Sequence, residues 1–148
     1  METRFEMFTV LIAKTSRSIH KIKAEEMAEF NLKSSHVSCL YYLYKMEVLT
    51  SKELSVMCGE DKANISRSVR CLEKEGYIYC KDFSKKRYQA DLYLTEKGKE
   101  IAKTIAEKID RILNEASIGL TEENRRIFYQ SLALICSNLE KVCEGYSD

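Results

Sequence analysis

Apolar residues recur through the first thirty positions at Phe5, Phe8, Ile12, Ile19, Ile22 and Phe30. Gaps of three, four, seven and eight place them on one side of a helix. The pattern predicts one long helix that Asn31 interrupts. A second helix carries Val37, Leu40, Leu43 and Tyr44, with Ser34 or Ser35 as its expected cap. Thr50 and Glu53 stand in capping-box register before Leu54 and Met57, and Gly59 ends this short third helix. The stretch GEDKANISRSVRCLEKEGYIYCK, residues 59–81, then opens a fourth. Asp61 is its expected cap, Ile65, Val69 and Leu72 share one face, and Gly76 supplies the left-handed stop. Ala63, Arg67, Arg70 and Lys74 fall on the opposite side.

After Gly76 the period changes. Residues 77–80 and 90–94 have strand composition, and the polar residues 82–89 between them read as the tip of an antiparallel hairpin. Thr95 caps the next helix, with Ile101, Ile105, Ile109 and Ile112 at helical spacing. Thr121 opens the last, which carries Ile127 or Phe128, then Leu132, Ile135, Leu139 and Val142. The expected architecture is mainly α with a small β-hairpin. It divides into an N-terminal helix over 1–33, a compact head over 34–95 and C-terminal helices over 96–148.

Composition adds little until charge is located. The 148 residues carry a formal net charge of only +1. Residues 62–87 hold eight basic side chains against three acidic, which makes that segment +5 and the remainder −4. The start has an acid at Glu2 and a charge inside its apolar run, so it does not read as a signal peptide, and no run reaches the length of a membrane span. A cytoplasmic chain is expected. Its six cysteines form no C-x-x-C pair and stand beside only two histidines, so neither disulfides nor a metal site is expected. Nothing matches a nucleophile elbow, a zinc-protease helix or a Gly-rich phosphate loop, which argues against an enzyme and gives no reason to expect a cofactor.

A short helix, a tight turn, a second helix and a basic hairpin form the layout of a winged helix-turn-helix, whose second helix fits the major groove of DNA. Small Ala63 and Ser66 allow close approach to base edges, Asn64 suits adenine, and Arg67 or Arg70 suits guanine or a phosphate. The tip residues Lys85, Lys86 and Arg87 suit the minor groove or the backbone beside it, and Lys62 and Lys74 complete the expected DNA-binding set. A winged helix that binds protein is the alternative, but its exposed face would be apolar where this one carries Ala, Arg, Arg and Lys.

These residues resemble the MarR-type regulators. That family's pattern of T-x-x-E-L, a Lys before small residues and Ser-Arg, L-E-x-x-G-Y-I, a wing and L-T-x-x-G is matched at Thr50, Glu53, Leu54, Lys62, Ser66, Arg67, Leu72, Glu73, Gly76, Ile78, Leu94, Thr95 and Gly98. The resemblance implies a homodimer held by its first and last two helices, with two winged heads on a pseudo-palindromic duplex. Apolar stripes too long for the head to cover argue independently for the dimer, with an intramolecular bundle as the alternative. Lys85 stands where many relatives place an Asp that fixes the wing Arg, and Arg87 lies one residue further from the Leu-Thr pair than is common.

The resemblance also implies a ligand-responsive repressor. Small phenolic or lipophilic effectors would sit between the dimerisation helices and the head, and His20, His36, Cys39 and Tyr41 are the candidate lining. A thiol-responsive regulator using Cys71, beside the outward face, is the remaining alternative.

Overall fold

The computed structural model describes residues 3, 4 and 6–146, so Phe5, at the head of the first apolar stripe, and residues 1 and 2 lie outside the described residues. The chain forms two compact units, one up to Ile109 and one from Asp110 onward.

In the first unit a π-helical turn, Glu6–Val10, leads into α1, Leu11–Met27, and one 3-10 turn, Ala28–Phe30. Asn31 closes it at φ 52°, a left-handed conformation that Asn tolerates better than most residues. The head follows as α2 (Ser34–Met46), β1 (Leu49–Thr50), α3 (Ser51–Cys58), α4 (Lys62–Lys74), β2 (Ile78–Cys80) and β3 (Asp91–Leu94), before α5 (Glu96–Ala116) begins. α2, α3 and α4 pack on one another around Leu40, Leu43, Leu54, Ile65 and Leu72, all fully buried.

Most caps stand where expected. Thr50 accepts the Glu53 N–H at 3.1 Å while the Glu53 carboxylate accepts the Thr50 N–H at 2.8 Å, which completes the capping box. Asp61 accepts the Asn64 N–H at 2.7 Å. Neither Ser34 nor Ser35 caps α2, which corrects the expectation from sequence. The Lys33 N–H meets His36 Nδ1 instead, and Ser35 accepts a hydrogen bond from the Ser68 hydroxyl at 2.9 Å that ties α2 to α4.

The hairpin is part of a three-stranded antiparallel sheet of order β1-β3-β2, in which Leu92 stands opposite both Leu49 and Cys80. β1 is two residues long, too short to show the alternation that marks a strand in sequence. Leu92 and Leu94 point into the core, while Asp91 and Tyr93 are half-exposed.

The L-T-x-x-G motif explains how the sheet passes into α5. Thr95 Oγ1 accepts the Gly98 N–H at 2.9 Å and donates to the Gly76 carbonyl at 2.6 Å, and the Thr95 N–H reaches the Tyr77 carbonyl at 3.0 Å. A Cβ on Gly98 would lie 1.9 Å from that same Tyr77 oxygen. No side-chain rotation relieves a clash with backbone.

The second unit holds the end of α5 and α6, Glu122–Glu144, whose cap Thr121 accepts the Asn124 N–H at 3.1 Å. No residue of α6 is buried within the single chain. Ile127, Phe128, Leu134, Leu139 and Val142 are all exposed. No helix among the described residues is long and apolar enough to cross a membrane.

Gly98→Ala should destabilise the protein by about 1–3 kcal/mol, the usual range for overpacking a tight site. Urea unfolding read by circular dichroism checks this, with a lower midpoint at unchanged slope as the expected outcome.

Candidate nucleic-acid interface

α4 presents two chemically opposite sides. Ile65, Val69 and Leu72 are at most 2% exposed, and Ser68 beside them is held by Ser35. Burying those three side chains contributes about 1.5–3 kcal/mol each, which fixes the rotation of the helix. Ala63, Arg67, Arg70 and Lys74 are therefore turned to solvent, as is Lys62. Among the described residues, no hydrogen bond or ion pair occupies the Arg67, Arg70 or Lys74 side chains. Ser66 and Asn64 flank this face half-exposed, and Asn64 is already engaged, because its side-chain N–H donates to Glu60 at 2.5 Å.

Gly76, at φ 78°, ends the helix by a double bond pattern. Its own N–H returns to Glu73 and the Tyr77 N–H returns to the Leu72 carbonyl. The chain leaves at once into β2, so the hairpin starts from a fixed point on α4.

The wing is more ordered than a polar tip. Asp82 accepts both the N–H and the hydroxyl of Ser84, at 2.9 and 2.6 Å, which holds its carboxyl below the usual carboxylate range. Lys85 and Lys86 follow, exposed. Arg87 does not share their tip. It opens a 3-10 turn, Arg87–Gln89, that packs on α3, and its guanidinium is ion-paired with Glu73 of α4. Lys62 lies 4.6 Å from the centre of the Tyr88 ring. Two residues expected to face DNA, Lys62 and Arg87, thus each have a partner within the chain while remaining exposed. In sequence Glu73 stands out only as part of the L-E-x-x-G motif. The available signal was the missing wing carboxylate, which left Arg87 in need of an acid from elsewhere.

Two packed helices, a short turn, an outward basic face and an ordered wing define a winged helix-turn-helix. The chain belongs to the winged helix DNA-binding domain family, whose model matches residues 35–113. It is 22% identical over 130 residues to YybA, an uncharacterized HTH-type transcriptional regulator of Bacillus subtilis, covering 88% of this chain and 87% of that protein. Its fold is that of the MarR-type regulators. It superposes on NMB1585, a MarR family regulator from Neisseria meningitidis, with a TM-score of 0.85 at 17% identity, covering 97% of this chain and 99% of that one. The MepR–DNA complex of S. aureus matches at 0.76 and 18% identity, over 93% and 99% of the two chains. Family and fold point to a DNA-binding transcriptional regulator, not to an enzyme.

The four residues expected to line an effector pocket differ in depth and in partners. His20 is exposed on α1, where its ring meets the Ser16 carbonyl at 2.8 Å. Cys39 is fully buried, and its thiol donates to Cys58, which pushes the Cys39 pKa up and draws that of Cys58 down. Tyr41 is half-buried and stands edge-on to Tyr42. His36 lines a cavity of about 550 Å³ with Phe30, Leu32, Cys71 and Tyr77.

Burial, then the nearby Lys33 charge, lowers the His36 pKa from its ordinary 6.5. The unfolded chain therefore binds more protons than the folded one over that window. The stabilisation is complete above 6.5 and is lost as pH falls through the folded value. His36→Gln should flatten the decline of melting temperature between pH 7 and pH 5, measured by thermal unfolding of both proteins.

Proposed function

We propose that the chain is a cytoplasmic homodimeric repressor that reads a pseudo-palindromic duplex with two copies of α4 and releases it on binding a small ligand. One observation carries the DNA reading. Arg67 and Arg70 stand exposed and unpaired on the outward face of a helix whose other side is locked in the core. Ala63 and Ser66 keep that face low enough to approach base edges, and a guanidinium can grip guanine through two parallel hydrogen bonds. Asn64 reaches adenine by exchanging Glu60 for the base. Lys74, Lys85 and Lys86 meet phosphates, which position the helix without specifying sequence.

Exposed apolar side chains support the dimer. In the first unit Phe8, Leu11, Ile12, Ile19 and Ile22 of the N-terminal helix are uncovered. The apolar positions of α6 in the second are uncovered as well. Water-exposed stripes of this length call for a partner surface, and a second copy supplies the same stripes by two-fold symmetry.

For the ligand, the cavity at His36 has a suitable size and character. Phe30 and Leu32 come from the segment after α1, while Cys71 and Glu75 come from the end of α4. A phenolic or lipophilic occupant would touch both and bias the pose of α4.

Binding to the chain's own upstream DNA across a salt series tests the reading. Affinity should fall steeply as salt rises, and Arg67→Ala should lose about 1–3 kcal/mol of discrimination between operator and unrelated duplex. Absent or salt-insensitive binding would remove the DNA proposal. Light scattering at micromolar concentration should return twice the mass of the 17.2 kDa chain.

A further inference from the structure

Lys62 and Glu73 are eleven residues apart, three full helical turns, so they lie on one flank of α4. Consecutive residues of the wing's returning limb reach both ends of that flank. Arg87 is ion-paired with Glu73, and the Tyr88 ring sits under the Lys62 ammonium at 4.6 Å. The next residue, Gln89, lines a groove with Thr50, Lys52, Glu53 and Val56 beside α3. The limb is thus strapped along the helix-turn-helix rather than joined to it only through the strands. Glu73 supplies the acid of this strap, and its side chain is 23% exposed against 55% for Arg87, so the pair is partly screened from water on the helix side.

We propose that Glu73 is a positioning residue for DNA binding. Resting on the DNA reading above, the inference assigns Arg87 and Lys62 to holding the wing rather than to touching the duplex. By fixing the base of the wing, the strap sets where Lys85 and Lys86 stand relative to Arg67 and Arg70, so that all four meet one duplex without reordering. Affinity gained this way comes from preorganisation, because the loop loses its freedom before DNA arrives. The alternative places Glu73 as a restraint that keeps Arg87 idle until DNA displaces it.

The two roles give opposite signs. Glu73→Gln removes a negative charge beside a polyanion, so charge alone would tighten binding. A positioning role predicts weaker binding, about three- to fivefold, the scale of one partly exposed ion pair. The slope of affinity against salt should also become shallower, by about one for each phosphate the wing no longer reaches. Arg87→Gln should match it, the double variant should be no worse than either single, and Glu73→Asp should recover part of the affinity. Amide exchange in the free protein should speed up over residues 87–90 in Glu73→Gln while the amides of Ile65, Val69 and Leu72 keep their protection. Tighter binding by Glu73→Gln, additive losses, or unchanged exchange at 87–90 would each overturn the proposal. If the unaltered protein bound no duplex at all, the DNA reading would fail, and exchange would still show separately whether the strap exists.

Discussion

Everything outward-facing on this head depends on the burial of one edge of α4. Ile65, Val69 and Leu72 have no exposed surface to spare, and they meet α2 and α3 through Leu40, Leu43 and Leu54. Truncating Ile65 or Leu72 to Ala would cost about 2–5 kcal/mol, a large part of the stability of a domain this size. A helix seated so firmly cannot rotate to hide its arginines. The Ser68–Ser35 hydrogen bond adds direction to that hydrophobic grip, since it is satisfied in only one register of α4 against α2.

The end of α4 transmits this fixed pose to the rest of the head. Gly76 turns the chain, the Tyr77 carbonyl accepts the Thr95 N–H, and Gly98 packs against that same oxygen. Lys97 adds an ammonium that donates to the Glu75 carbonyl at 2.8 Å and lies 4.6 Å from the centre of the Tyr77 ring. The exit of α4, the start of β2 and the first turn of α5 therefore share one small set of backbone interactions. A glycine at 98 is a packing requirement here, not a matter of backbone freedom.

What could be read from sequence follows how local each determinant is. The caps Thr50, Asp61, Thr95 and Thr121 act within three residues, so spacing alone located them. The faces of α4 follow from periodicity and came out as expected. β1 could not be found this way, because two residues carry no period and only pairing with β3 makes them a strand. The Arg87–Glu73 pair spans fourteen positions, across the end of α4, β2 and the wing tip, and Arg87 opens a 3-10 turn that no propensity announces. His20, His36, Cys39 and Tyr41 were grouped by polarity among apolar neighbours, a property that residues on different faces and at different depths can share. His36 serves its own helix end, and Cys39 found a thiol partner in the core.

The same distinction changes how the charge of residues 62–87 should be counted. The segment is +5 by sequence, yet its cations are not equivalent. Arg87 is neutralised by a carboxylate it touches, whereas Lys62 and Lys81 lie over tyrosine rings, Lys81 at 4.5 Å from the centre of Tyr93. A ring holds a cation in place without cancelling its charge, so those two lysines still add to the long-range field that draws a polyanion inward. In the proposed complex, short-range recognition would draw on a smaller set: Arg67, Arg70 and Lys74, whose side chains no hydrogen bond or ion pair occupies among the described residues, with the exposed Lys85 and Lys86 at the tip. On the DNA reading proposed above, attraction and recognition would be divided between different residues of one patch. A substitution at Lys81 should slow association while one at Arg67 should speed release, because only the second breaks something the bound duplex holds.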